Sequence, residues 1–179
     1  MSAGPASRSA DWRSLVRNVP DFPIPGILFK DIAPVLADPA GLAAMTAELT
    51  EAARAMNPDV VVAIEARGFI LGAPIALALG VGFVPVRKPG KLPFSTRSVA
   101  YALEYGEAVL HMHTDALADG ARAVIVDDVL ATGGTLAATA RLISEAGATP
   151  VGAVVALEIC GLGAQERLAG LPLTALEAV

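Results

Sequence analysis

The chain has 179 residues, a single cysteine, 54% hydrophobic residues and a formal net charge of -5, which suits one domain with a full core. The lone Cys160 excludes a disulfide framework and fits a reducing, cytoplasmic setting. The acidic balance argues against a nucleic-acid or anionic-membrane binder. Although the mean hydropathy is +0.59, the longest apolar run, 68–86, is broken by Gly72, Pro74, Gly80, Gly82 and Pro85. No membrane span is therefore expected, and the first residues lack the apolar core of an export signal.

Asp11 is placed to cap a short helix with Trp12, Leu15, Val16 and Val19 on one face. The proline-rich stretch DFPIPGILFKDIAPVL (21–36) carries Phe22, Ile24, Ile27, Leu28 and Phe29, and reads as an ordered extended segment. Asp38-Pro39 starts a helix with Leu42, Met45, Leu49 and Met56 on its apolar face, stopped by Asn57-Pro58. An alternation follows: a buried strand at 60–64, a helix at 69–79 closed by Gly80, and a strand at 82–86. RKPGKLPFSTR (87–97) is a basic loop, and 101–103 and 108–112 form a hairpin around Glu104-Tyr105-Gly106. A strand at 123–126, a helix at 135–146 ended by Gly147 and a strand at 151–157 complete the pattern. Solid apolar strands alternating with helices predict an α/β fold, with a mostly parallel central sheet flanked by helices. His111 and His113 fall on one strand face, expected to be exposed, and Cys160 is expected in the core. The closing LPLTALEAV carries no reading.

The stretch VIVDDVLATGGT (124–135) concentrates chemistry. Ligands of open α/β sheets sit beyond the carboxyl ends of the strands. A strand ending at Val126 leaves Asp127 and Asp128 at that edge. The following loop, Ala131, Thr132, Gly133, Gly134 and Thr135, runs into a helix N-terminus. Free backbone N–H groups, the positive end of the helix dipole and two hydroxyls suit a phosphate there. Glycines let the backbone wrap closely. The two carboxylates would repel that phosphate; they suit vicinal hydroxyls or a magnesium ion. A phosphate beside a diol describes a ribose 5-phosphate. No Walker A loop and no G-x-G-x-x-G is present.

EARGF (65–69) follows the first buried strand and brings Arg67 to the same edge, free for a bidentate phosphate contact or paired with Glu65. Arg87, Lys88 and Lys91 follow the second strand, either a solvated basic loop or, as their place between two candidate site loops favours, a polyphosphate clamp in an acidic protein. LEYG (103–106) sets Glu104 between Leu103 and Tyr105 at the hairpin tip; alone it reads as a turn more often than as a catalytic acid, though a loop of this kind can close over a site.

The order of acids and glycine–threonine loop resembles the PRPP-binding motif of the type I phosphoribosyltransferases. Together with DFPIPGILFKDI (21–32), EARGF, VPVRKPGKLP (84–93) and LEYG, it makes the chain similar to the adenine branch of that family, from residue 11 to about 160. The resemblance implies a type I phosphoribosyltransferase fold, a single domain over 1–179. It would have an N-terminal base-binding hood at about 11–36, a core at 60–160 and a flexible loop hairpin. It implies transfer of the phosphoribosyl group from PRPP to adenine, giving AMP and pyrophosphate, with magnesium held mainly through PRPP and a homodimeric assembly. By the same resemblance, Leu28, Phe29 and Lys30 would meet adenine, and Arg67, Arg87, Lys88 and Lys91 the pyrophosphate. Glu104, with Tyr101 and Tyr105, would be catalytic. Asp127 and Asp128 would hold the ribose hydroxyls or magnesium, and Ala131, Thr132, Gly133, Gly134 and Thr135 the 5-phosphate. Two features depart from the family pattern: Lys30, where arginine is usual, and an apolar Val99-Ala100 before Tyr101. Two other readings suit 124–135: transfer to another purine base, against which 21–32 speaks, and a PRPP-binding regulator without activity. A regulator would need a separate DNA-binding domain, and only about 60 residues precede the first sheet strand.

Overall fold

The computed structural model describes residues 11–22, 24–102, 107–168 and 170–179. The chain forms two compact units, one ending at Glu48 and the other beginning at Leu49.

In the first unit Asp11 does cap a helical turn, a 3-10 segment at Trp12–Leu15, accepting a hydrogen bond from the Arg13 N–H at 3.2 Å. Trp12 is fully buried, and its indole N–H donates to Glu48 at 3.0 Å. Arg13 grips the same carboxylate at 2.8 Å. The turn stops there. Instead of continuing as a helix through Val19, the chain extends into β1 (Arg17–Pro20), paired antiparallel with β2 (Leu28–Asp31). Pro20 explains the difference, because the residue before a proline is pushed out of the α region. The segment 21–36 is also not extended throughout, since a short helix, α1 (Ala33–Ala37), begins with Pro34 in its first turn. α2 (Pro39–Arg54) starts where expected, with Asp38 Oδ1 accepting from the Gly41 N–H at 2.7 Å. Met45 and Leu49, on the expected apolar face, are buried.

The second unit is built on β3 (Val60–Ile64), α3 (Arg67–Leu79), β4 (Gly82–Val86), β5 (Thr96–Ala102), β6 (Glu107–His113), β7 (Arg122–Leu130), α4 (Gly134–Glu145), β8 (Thr149–Glu158), α5 (Ala164–Arg167) and β9 (Leu173–Ala178). Five strands form one parallel sheet in the order β4-β3-β7-β8-β9. Its central strands are buried along their length, as valine- and isoleucine-rich strands covered on both faces must be. α3 lies close on the sheet because Gly72 has no side chain; a Cβ there would stand 2.6 Å from that of Ala63. Gly80 ends the helix in the left-handed region at φ 72.

The hairpin is longer than its expected arms, β5 pairing with β6 from Thr96–His113 to Ala102–Glu107. His111 and His113 do share a face, but it is half-covered rather than exposed. Thr96 Oγ1 lies 2.9 Å from His111 Nδ1, and the Phe94 ring meets the His113 ring edge-on. Cys160 is exposed, not in the core. It lies just past the end of β8, where its backbone N–H is held by the Val179 carbonyl at 2.9 Å. The closing residues form the edge strand β9. No helix among the described residues is long and apolar enough to cross a membrane.

Candidate functional site

Asp127 and Asp128 do not follow a strand; they lie inside it, because β7 runs on to Leu130. On its β3 side the pairing stops at Val126, opposite Ala63. On its β8 side it continues through Asp127–Val155 to Leu130–Glu158. The longer neighbour thus carries two carboxylates past the last pair with β3. Asp128 is 5% exposed, and its backbone N–H donates to Asp127 Oδ1 at 2.9 Å. Burial first, and the neighbouring Asp128 charge second, hold the Asp127 carboxyl well above the usual carboxylate range. α3 comes in against this pair without a side chain: a Cβ on Gly68 would lie 2.9 Å from the Val126 carbonyl and 3.0 Å from Asp127 Oδ1.

The loop after β7 enters α4 through Gly133, which sits at φ 80 with no side-chain cap. Two constraints require glycine there: the positive φ, and the Ala164 carbonyl 3.1 Å from where a Cβ would be. The first N–H groups of α4 therefore end in a narrow glycine loop, with the helix dipole behind them. Gly133 and Gly134 are buried, Thr132 and Thr135 half-buried and Ala131 exposed. The Thr135 hydroxyl reaches Tyr101 of β5 at 3.4 Å, joining this loop to the hairpin.

The basic groups come from the ends of β3 and β4. Arg67, at the start of α3, forms an ion pair with Asp128 and not with Glu65. Glu65 instead takes Arg87: its Oε2 accepts from Arg87 Nε at 2.7 Å and its Oε1 from the Lys88 N–H at 3.0 Å. Burial alone would raise the Glu65 carboxyl. The hydrogen bonds from Arg87 and the Lys88 N–H, with both positive charges, outweigh it and hold the carboxyl below its ordinary value. Arg87 Nη1 donates to the Lys91 carbonyl at 3.0 Å. The peptide Glu65–Ala66 is cis.

Asp127, Asp128, residues 131–135, Arg67, Arg87 and Lys88 thus come together at the carboxyl ends of β3, β4 and β7, and Lys91 follows on the same loop. Tyr101 is tied to them through Thr135. Glu104 and Tyr105 lie outside the described residues. Leu28, Phe29 and Lys30 are on β2 in the first unit. Phe22 packs edge-on against Phe29 at 5.2 Å, and Phe22, Ile24, Ile27 and Leu28 are all exposed. Sequence reasoning missed the part played by Glu65, whose partner lies 22 residues away. It also missed Gly68, whose signal was a glycine directly after the arginine at a strand end.

Among the described residues, no cluster of three or more histidine, cysteine or acidic side chains is placed to hold a metal ion. The donor set on offer is the adjacent Asp127 and Asp128. One or two carboxylates completed by substrate oxygens is a set that magnesium takes.

The phosphoribosyl transferase domain model matches residues 33–166. An adenine phosphoribosyltransferase from Synechococcus sp. is 53% identical over 166 residues, covering 93% of this chain and 97% of its own length. Among solved structures, the adenine phosphoribosyltransferase of Thermoanaerobacter pseudethanolicus superposes with a TM-score of 0.91 at 46% identity, over 93% of this chain and 97% of that one. That of Saccharomyces cerevisiae, solved as a complex with an imino-altritol bisphosphate and adenine, gives 0.86 at 35% identity, over 94% and 97%.

Proposed function

The chain belongs to the phosphoribosyl transferase domain family, and within it to the adenine phosphoribosyltransferases, and from that premise we infer its chemistry. It transfers the 5-phosphoribosyl group of PRPP to adenine, giving AMP and pyrophosphate. The observation that carries this reading is the pair Asp127 and Asp128 on β7, followed by a glycine loop that opens onto the N-terminus of α4.

The 5-phosphate sits in the loop from Ala131 to Thr135, on backbone N–H groups and the hydroxyls of Thr132 and Thr135. Asp127 and Asp128 accept from the ribose hydroxyls, and the sugar takes over the charge that Arg67 now offsets on Asp128. Arg67, Arg87, Lys88 and Lys91 face the pyrophosphate, where negative charge grows as the anomeric C–O bond breaks. Asp127 and Asp128 would complete the ligands of a magnesium ion held mainly through PRPP, which when bound would add to the stabilisation of that charge. Phe29 stacks on adenine, and backbone groups at Leu28 and Lys30 read its edge, so the lysine is a tolerated change. The exposed apolar residues around Phe29 support a surface for a flat base. Glu104, with Tyr101 and Tyr105, manages the adenine proton. No covalent nucleophile is required.

The protein acts in the cytoplasm, without nucleic-acid or membrane partners, as a homodimer. The apolar outer side of α3, with Ile70 and Leu77 exposed, supports a second copy as partner; light scattering tests it. The activity itself is tested with purified protein, magnesium and PRPP, offering adenine, hypoxanthine, guanine and xanthine in turn. AMP from adenine alone is the expected result. Another nucleotide would overturn the reading of 21–32, and PRPP binding without product would favour the regulator.

A further inference from the structure

Glu65 is an unexpected residue to find beside a loop read as an anion clamp. A carboxylate there opposes an incoming pyrophosphate, so its presence needs a compensating role. It is nearly buried, with its side chain 12% exposed, and both oxygens are engaged. One accepts from the Arg87 side chain, the other from the Lys88 backbone. The rest of Arg87 is held as well. Its backbone exchanges two hydrogen bonds with His111, at 2.9 and 2.7 Å. Its Nη1 reaches the Lys91 carbonyl, and its guanidinium lies 5.8 Å above the Phe69 ring. Nε and Nη1 are thereby occupied within the protein, which holds the planar group in place.

We propose that Glu65 is a positioning residue: it fixes the Arg87 guanidinium and the Lys88 backbone before PRPP arrives, so that pyrophosphate meets an already ordered clamp. The inference rests on the pyrophosphate role given to Arg87 and its neighbours above. An arginine that must be ordered on binding loses affinity in doing so, and an arginine already held does not. Charge counting gives the opposite expectation. Removing the carboxylate adds one net positive charge and should tighten an anion.

The two views part at Glu65→Gln, which puts an NH2 donor where one of the two accepting oxygens stood, against either the Arg87 Nε–H or the Lys88 N–H. Pyrophosphate with magnesium, titrated calorimetrically, should bind about 3- to 10-fold more weakly, and KM for PRPP should rise similarly. The affinity for AMP, which has no pyrophosphate, should hold, and retained AMP binding reports a folded site. Glu65→Asp, with the charge but less reach, should fall between. In an Arg87→Ala background the Glu65→Gln effect should largely vanish. Unchanged or tighter pyrophosphate binding in Glu65→Gln, with Arg87→Ala weakened, would overturn the inference and leave the loop's role standing. Unchanged binding in Arg87→Ala would remove that role, and the inference with it.

Discussion

Asp127→Asn separates what the acidic pair does for the reaction from what it does to the fold. The Asp127 carboxyl is held high by burial and by the Asp128 charge. A group whose folded pKa exceeds its unfolded value adds stability at low pH, and that stability is lost as pH rises through the folded value. At neutral pH the ligand-free protein therefore carries a cost for this site. Asparagine copies the neutral acid, and its Oδ1 keeps the 2.9 Å bond from the Asp128 N–H. Relief of such a strained functional site is worth about 0.5–2 kcal/mol. For a chain of this size each kcal/mol moves Tm by roughly 2–4 °C, so the variant should melt about 1–8 °C higher at pH 7. The difference should shrink toward pH 4. Activity should move the other way. A hydrogen bond to a charged acceptor contributes about 1.5–3 kcal/mol, so kcat/KM for PRPP should fall by a factor of about 10 to 150. The assay is calorimetric melting from pH 4 to 8, with steady-state kinetics on the same preparations. A lower Tm at pH 7, or a stabilisation that ignores pH, would refute the electrostatic account of this pair.

Gly133→Ala should cost about 1–2 kcal/mol, because φ is 80 and the Ala164 carbonyl stands 3.1 Å from the new Cβ; Tm and AMP affinity, both lowered, check it. Glu104→Ala should cut turnover far more than PRPP affinity, and equal turnover would take Glu104 out of the mechanism. Glu48 is held below its ordinary pKa, chiefly by the hydrogen bond from Arg13, against burial, with Trp12 and the Arg13 charge assisting. Its contribution is present above the unfolded value and lost as pH falls through the folded one. Fluorescence of Trp12, the sole tryptophan, should report that loss below about pH 4.5, and Glu48→Gln should flatten it.

What was legible followed local pattern. The strands at 60–64 and 82–86 and the left-handed stop at Gly80 were written in solid apolar runs and one glycine, and the structure has them at those residues. What failed depended on distant chain. Carboxylates disfavour strands, so a reading by propensity ends β7 at Val126. Only the length of β8, which supplies partners out to Glu158, carries the strand through Asp127 and Asp128. Trp12, Leu15, Val16 and Val19 have helical spacing, yet Val19 pairs across a hairpin with Phe29. Cys160 looked like a core residue by composition, and the end of β8 places it outside.

The same limit explains the ion pairs. Sequence offered Arg67 either a phosphate or its near neighbour Glu65, but a helix beginning at Arg67 turns it toward β7, where Asp128 waits, 61 residues on. Glu65 then meets Arg87 from the neighbouring strand. Asp128 offsets Arg67 and Glu65 offsets Arg87 at this edge, which lowers the cost of keeping these four charges partly out of water. A substrate carrying both hydroxyls and phosphates can replace such an arrangement group for group. A bare phosphate or a bare sugar can replace only half of it. On the proposed roles, preference for a sugar phosphate would follow from how these side chains balance one another's charges, a balance set only once the fold has brought the strand ends together.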